Sequence, residues 1–166
     1  MNFSIYSTDF GPGAIIYDDR GIRRILMPEE NISTIVKKIR KIYDNVEEEL
    51  SNQVSVLKKK LEEYFRGKKV DFSGTRIYFN GISAFTKSVL NGLNEIPYGE
   101  LKTYKWLAEK LGNSGKARAV GRALHSNPFP VILPCHRIIK SGGELGGFSS
   151  GTKWKVRLLH IEKILK

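Results

Sequence analysis

Pro134-Cys135-His136-Arg137 holds the only cysteine of a 166-residue chain and one of its three histidines. A thiol attacks as its thiolate, and an ordinary cysteine near neutral pH is mostly protonated. Positive charge and a nearby imidazole both favour loss of that proton, and this tetrapeptide supplies them. Successive side chains on a strand point to opposite faces, so Cys135 and His136 cooperate only if the chain turns sharply or a water bridges them. Pro134, which fixes its own φ, favours such a turn. A bare cysteine is more often a small buried hydrophobe. The polar neighbours His136 and Arg137 reverse that balance and make Cys135 a candidate nucleophile.

The elements that must position it come from a chain of ordinary globular composition, 40% hydrophobic and 27% charged. No apolar run reaches the length of a membrane span, and the start, Met1-Asn2-Phe3-Ser4-Ile5, does not read as a signal peptide. A single cysteine forms no internal disulfide, which fits a reducing, cytoplasmic setting. His125, His136, His160 and Cys135 show no metal-ligand spacing, so no metal site is expected. The net charge of +11 is unevenly spread. Residues 1–82 carry 14 Lys/Arg against 12 Asp/Glu, and residues 83–166 carry 14 against 5. A one-sided basic excess attracts polyanions, and it lies in the same half as Cys135.

Residues 1–80 read as a small α/β domain, an antiparallel sheet with helices, that supports the rest. Strands are expected at Phe3–Tyr6, Ala14–Tyr17 and Ile22–Leu26, with Gly11-Pro12-Gly13 as a break and Asp18-Asp19-Arg20-Gly21 as a turn. A helix starts near Ser33 with Ile32, Ile35, Val36, Ile39 and Ile42 at helical spacing, and a second runs from about Asn52 to Arg66 before Gly67. Val70–Phe72 and Ile77–Phe79 read as short strands or extended pieces. Glu47-Glu48-Glu49 and Lys58-Lys59-Lys60 read as solvated helix faces.

Residues 81–166 read as mainly helical. Ser83 caps a helix to about Asn94 that buries Phe85, Val89 and Leu93, and Ile96-Pro97-Tyr98-Gly99 interrupts it. Thr103 caps a helix with Tyr104, Leu107, Ala108 and Leu111 on one face. Gly112-Asn113-Ser114-Gly115 turns the chain into another from Lys116 to about His125. Two short helices around such a turn match a helix-turn-helix, in a winged-helix-like arrangement, although an αα-hairpin of a bundle gives the same pattern. The second helix tips the reading. Ala117, Val120 and Leu124 face inward, which leaves Arg118 and Arg122 outward, while Ala119, Gly121 and Ala123 add little bulk. Ser114-Gly115-Lys116 sits at the phosphate-binding end of this helix. DNA binding follows as the expectation.

Val131-Ile132-Leu133 and Ile138-Ile139 are apolar runs that anchor the cysteine on either side. Residues 142–151 hold five glycines around Phe148 and Ser149, either a surface hairpin or a loop that wraps a planar ligand. Their spacing does not fit a nucleotide-cofactor fingerprint, and no cofactor is expected. A last helix from Thr152 or Lys153 spaces Trp154, Leu158, Ile161 and Leu165 for burial. Glu162 beside that stripe is either a surface group or a third member that orients His136.

Ile96-Pro97-Tyr98-Gly99, Arg118-Ala119-Val120-Gly121, Asn127-Pro128 and Pro134-Cys135-His136-Arg137, followed by the glycine-rich loop and Glu162, resemble the O⁶-alkylguanine-DNA alkyltransferases over about residues 80–165. The resemblance implies a single-turnover repair protein, a monomer without cofactor. It would bind duplex DNA through the minor groove and flip O⁶-alkylguanine, with O⁴-alkylthymine as a further lesion. Cys135 would take the alkyl group, His136 its proton through a water, and Glu162 would fix the imidazole. Asn127 would brace the turn before the site. Arg118 would fill the gap in the base stack and Tyr104 would sit at the rotated phosphate and base. Ser114, Ala119, Arg122 and Arg137 join the DNA-facing set, the backbone near Cys135, Ile138 and Ser149 would read the guanine edges, and Phe148 joins the base-binding residues. Phe148 stands where many relatives carry a tyrosine, and the cysteines of the animal relatives' zinc site are absent.

Overall fold

The computed structural model describes every residue except Asn113, and every side chain except those of Asn113, Gln53 and Ser114. The chain forms two compact units, Met1–Asn80 and Gly81–Lys166.

In the first unit β1 (Asn2–Thr8), β2 (Gly11–Asp18) and β3 (Gly21–Leu26) form an antiparallel meander, followed by α1 (Ile32–Ile42), β4 (Glu47–Glu48) and α2 (Asn52–Phe65). The sheet order is β3-β2-β1-β4. Alternation along the strands gives the sheet two apolar faces. Phe3, Ala14 and Ile16 meet Ile35 and Ile39 of α1, with Ile5, Leu26 and Val36 at the margin. Burying each isoleucine contributes about 2 kcal/mol. On the other face Tyr6 stacks on Phe65 of α2, with ring centroids 5.9 Å apart, and its hydroxyl donates to the Leu26 carbonyl at 2.8 Å. Asn31 and Ser51 cap the two helices, accepting from the Thr34 and Val54 amides. Ile32 and Ile42, expected to pack, are exposed because only the middle turns of α1 reach the sheet.

Two expectations for this unit change. Gly11-Pro12-Gly13 does not break the strand; it pairs with Tyr6, Ser7 and Thr8, and the turn is Asp9-Phe10. The glycines are there for space: a Cβ on Gly11, whose φ is +106°, would lie 1.9 Å from the Glu29 carbonyl oxygen, and one on Gly13 would enter the Tyr6 ring. Glu47-Glu48 is not a helix face but β4, a strand parallel to β1, so the sheet is mixed rather than purely antiparallel. Of the two alternatives for Val70–Phe72 and Ile77–Phe79, the extended piece holds: neither segment forms a strand, and Ile77 makes a single bridge to Ile22.

The second unit runs α3 (Ala84–Gly92), a 3₁₀ turn Leu93–Glu95, β5 (Lys102–Thr103), α4 (Tyr104–Lys110), a 3₁₀ turn Ser114–Lys116, α5 (Ala117–His125), a 3₁₀ turn Cys135–Arg137, β6 (Ile138–Ile139) and α6 (Thr152–Ile161). α3 and α4 both pack on α5. Val89, Leu90, Leu93, Leu107, Val120 and Leu124 form the buried seam. Gly92 lets α3 approach α4 closely, since a Cβ there would sit 2.8 Å from Leu107 Cδ1. Phe85 is 37% exposed rather than buried. Ala123 is buried, so it belongs to the inward face of α5, while Arg118 and Arg122 are exposed as expected. The turn between α4 and α5 begins at Gly112 (φ +76°) and ends in the 3₁₀ turn, so α5 starts at Ala117 rather than Lys116; the expected role of Asn113 lies outside the described residues. β5 and β6 pair in parallel, Lys102 with Ile138 and Thr103 with Ile139. That pairing ties the start of α4 to the segment just after Cys135.

Gly11 gives the first test. Gly11→Ala is expected to lower the unfolding free energy by about 2–3 kcal/mol, since the φ and the Glu29 carbonyl both oppose a side chain. Chemical denaturation read by circular dichroism checks it, and an unchanged midpoint contradicts the close approach.

Candidate active site

Asn127 follows α5 and opens a fully buried run to Ile138. Its side chain organises the turn. Oδ1 accepts from the Phe129 amide at 2.9 Å, and Nδ2 donates to the Leu133 carbonyl at 2.9 Å and to Cys135 Sγ at 3.1 Å. Val131 within this run has φ +72°, a left-handed conformation costly for a β-branched residue and held only by its packed surroundings. Pro134 precedes the 3₁₀ turn, closed by the Arg137 amide on the Pro134 carbonyl at 3.0 Å. The sharp turn expected from Pro134 is therefore present.

From this turn three side chains diverge to different partners. Cys135 meets Asn127. His136 Nε2 shares a 2.6 Å hydrogen bond with Glu162 Oε1. Arg137 also reaches Glu162, with Nε 2.9 Å from Oε2 and Nη2 3.0 Å from Oε1, while Nη1 donates to the Ile96 carbonyl at 2.7 Å. The Gly99 amide adds a 3.1 Å bond to Oε2. Glu162 is buried and bonded to His136, so it is not a surface group. It sits at the C-cap of α6, a position that periodicity alone leaves at the edge of the apolar stripe.

Burial sets the protonation states. It pushes the Cys135 thiol up to about 11, although Asn127, the Lys155 charge and backbone amides pull the other way. The His136 and Arg137 side chains, the favourable neighbours read from the sequence, are turned to Glu162 instead, and the resting group is a thiol. Burial also holds His136 below its ordinary value against the pull of Glu162, with Arg137 and Lys155 adding to the effect. A neutral imidazole bonded to Glu162 through Nε2–H leaves Nδ1 to accept a proton. Glu162 is held at about 2: desolvation opposes ionisation, but His136 and Arg137 more than offset it.

Lys155 escaped the sequence reading. It lies on α6 beside Trp154, which the helical spacing favoured for burial, yet Lys155 is the fully buried one and Trp154 is not. Its Nζ donates to the Ile138 carbonyl at 2.5 Å and also to the Leu145 carbonyl, joining the segment after Cys135 to the glycine-rich loop. Burial lowers it to about 8. A lysine in an apolar stripe gives no sequence signal of burial, because its stem can also carry the charge outward.

Cys135 opens on a cavity of about 690 Å³, whose lining includes Tyr104, Gly121, Leu124, Gly146, Gly147 and Phe148. Lys105, Arg118, Arg122, His125 and Lys140 also line it. Tyr104 packs closely on the loop: a Cβ on Gly146, at φ +71°, would lie 2.8 Å from the Tyr104 hydroxyl. The expected residues Tyr104, Arg118, Arg122, Cys135 and Phe148 therefore meet at one cavity. Arg137 does not join them; it is buried on Glu162 and Ile96, which corrects its place in the DNA-facing set. Ile138 is buried with its carbonyl taken up by Lys155, and Ala119 and Ser149 are not among the lining residues. The Ser114 side chain lies outside the described residues. Among the described residues no His/Cys/Asp/Glu group is arranged to hold a metal ion, and no helix is long and apolar enough to cross a membrane.

Residues 1–79 match the ribonuclease-like domain, and residues 84–164 the DNA-binding domain, of 6-O-methylguanine DNA methyltransferase. The methylated-DNA--protein-cysteine methyltransferase of Methanosarcina acetivorans is 37% identical over 163 residues, 98% of each chain. That of Metallosphaera sedula is 34% identical over 162 residues, 98% of this chain and 93% of the relative. Among solved structures, Mycobacterium tuberculosis OGT in complex with DNA superposes with a TM-score of 0.77 at 28% identity, over 98% of this chain and 93% of the other. The chain belongs to the methylated-DNA--protein-cysteine methyltransferase family.

The depressed Glu162 carboxyl predicts an acid dependence. A folded value below the unfolded one means the pairing stabilises fully above about 4.5 and is lost as pH falls towards 2. Glu162→Gln is expected to be less stable at neutral pH yet to lose less of its stability over that window. Denaturation midpoints across the acid range test this, and parallel curves for the two proteins contradict it.

Proposed function

We propose that this chain repairs alkylated DNA by moving an alkyl group from O⁶ of guanine to Cys135, once per molecule. The observation that carries this reading is a thiol at the wall of a cavity of about 690 Å³, with ample room for a purine, backed by a His136–Glu162 pair and rimmed by arginines. His136 Nδ1 takes the Cys135 proton, through a water as the resemblance implies. The Sγ–carbon bond forms as the carbon–O⁶ bond breaks, and the electron pair leaves with the guanine, which takes up a proton. The product is a thioether. It has no water-cleavable bond, so the thiol is not regenerated.

A base inside a duplex cannot reach Sγ, so the substrate must be extruded, at a cost of a few kcal/mol. Exposed Arg118 on α5, at the cavity rim, is the group we assign to the vacated stack. α4 and α5 act as the helix-turn-helix, set in the minor groove, and Arg122 serves the phosphates. Tyr104 takes the rotated phosphate and base, and Phe148 closes the pocket without a hydroxyl. The Met1–Asn80 unit supports the DNA-binding and acceptor unit. The protein works as a cytoplasmic monomer without cofactor, since one chain supplies the whole acceptor set.

Incubation with an oligonucleotide carrying O⁶-methylguanine should add one methyl group to the intact mass, and Cys135→Ser should gain none. An arm with O⁴-methylthymine sets the substrate range. Protein that binds the DNA yet stays unmodified would instead be a lesion-binding protein.

Arg118→Ala should slow repair in duplex DNA by roughly tenfold or more, a share of the unstacking energy, while barely changing reaction with a free O⁶-alkylguanine base. Equal losses on both substrates would remove Arg118 from the extrusion step.

A further inference from the structure

Glu162 is shared in an asymmetric way. Oε1 meets both His136 Nε2 at 2.6 Å and Arg137 Nη2 at 3.0 Å, while Oε2 meets Arg137 Nε at 2.9 Å and the Gly99 amide at 3.1 Å. The carboxylate is thus gripped side-on by a guanidinium that is itself buried and anchored to the Ile96 carbonyl. A carboxylate bonded to an imidazole alone pulls a proton onto the ring. One already neutralised by a planar, always-charged guanidinium keeps the orienting hydrogen bond but loses most of that pull.

We propose that Arg137 is a positioning residue that neutralises Glu162, so that His136 is held in place as a neutral base rather than stored as an imidazolium. The inference rests on the alkyl-transfer reading for its substrate, but the state of His136 is measurable without it. Lys155, Cys135, Tyr98 and Tyr104 are the other titratable groups near the pair among the described residues. Lys155, from α6, and Arg137 disfavour a charged His136, and Cys135 precedes it in the 3₁₀ turn. Tyr98 feels both Glu162 and Arg137 and gives its hydroxyl to the Ile161 carbonyl at 3.0 Å. Tyr104, from α4, faces Cys135 and lies against Lys155. Of these, only Arg137 bonds the same carboxylate oxygen as the imidazole.

The two halves of the ion pair should therefore act in opposite directions. Removing the positive charge strengthens proton uptake at the Cys135–His136 pair, and removing the negative charge weakens it. In the pH profile of Cys135 alkylation by a free O⁶-alkylguanine base, Arg137→Gln should move the acid limb up by about one pH unit and Glu162→Gln should move it down. Arg137→Lys, which keeps the charge, should leave the limb near its original place even if the rate falls. A limb that does not move in Arg137→Gln, or that moves the same way in both Gln variants, overturns the proposal. If Arg137→Gln does not fold, the double variant Arg137→Gln with Glu162→Gln, which leaves no charge unpaired, decides by the nitrogen chemical shifts of His136. A ring that titrates close to that of the unaltered protein supports the proposal; one that titrates as low as in Glu162→Gln alone, or an imidazolium in place of the neutral ring at pH 7 in the unaltered protein, refutes it. A protein that never accepts the alkyl group but shows the neutral ring would sink the proposed function and leave this inference standing.

Discussion

One buried carboxylate holds the second unit's chemistry together. Glu162 arrives at the end of α6, His136 and Arg137 from the turn after Pro134, and Gly99 from the segment before β5. Three stretches far apart in sequence thus converge on two oxygen atoms. A carboxylate shielded from water is tolerated only when its lone pairs are taken up and its charge is matched. Here both conditions are met, and the same bonds that meet them orient the imidazole.

Around that carboxylate the surroundings divide the work between charge and shape. The thiol lies in a setting that disfavours its anion, which keeps it protonated until a base is in position. The cavity beyond it is formed by α4, α5 and the glycine-rich loop, with Tyr104 wedged against Gly146. Small residues at 121, 146 and 147 keep the walls thin, and the basic side chains of the lining, Lys140 excepted, project from the same two helices. Recognition of a polyanion and access to sulfur are therefore built on the same elements.

Much of this was legible in the sequence, and the misses are instructive. The Cys-His pair, the outward arginines of α5 and the apolar runs on either side of the cysteine follow from residue type and helical spacing. Glu162 was recognisable as one of two alternatives, because a C-cap position follows neither the buried nor the exposed pattern. The resemblance puts Arg137 in the DNA-facing set, and only the tertiary meeting with Glu162 reverses this. Gly11 and Gly13 looked like a break because glycine is a turn residue. Their actual reason, room for the Glu29 carbonyl and the Tyr6 ring, is a long-range contact. Glu47-Glu48 carries no strand signal at all, and its pairing is set by the edge of β1 that it covers.

Lys155 has a practical side. Its amine is enclosed and doubly bonded, whereas the other lysines of the chain lie at least partly in solvent. Reagents that acylate amines will decorate the exterior and spare this one for as long as α6, the strand after the cysteine and the glycine-rich loop remain locked together. Its slow labelling would then clock how often that lock springs open, a native footprint of the acceptor chamber that needs no dye and no engineered tag.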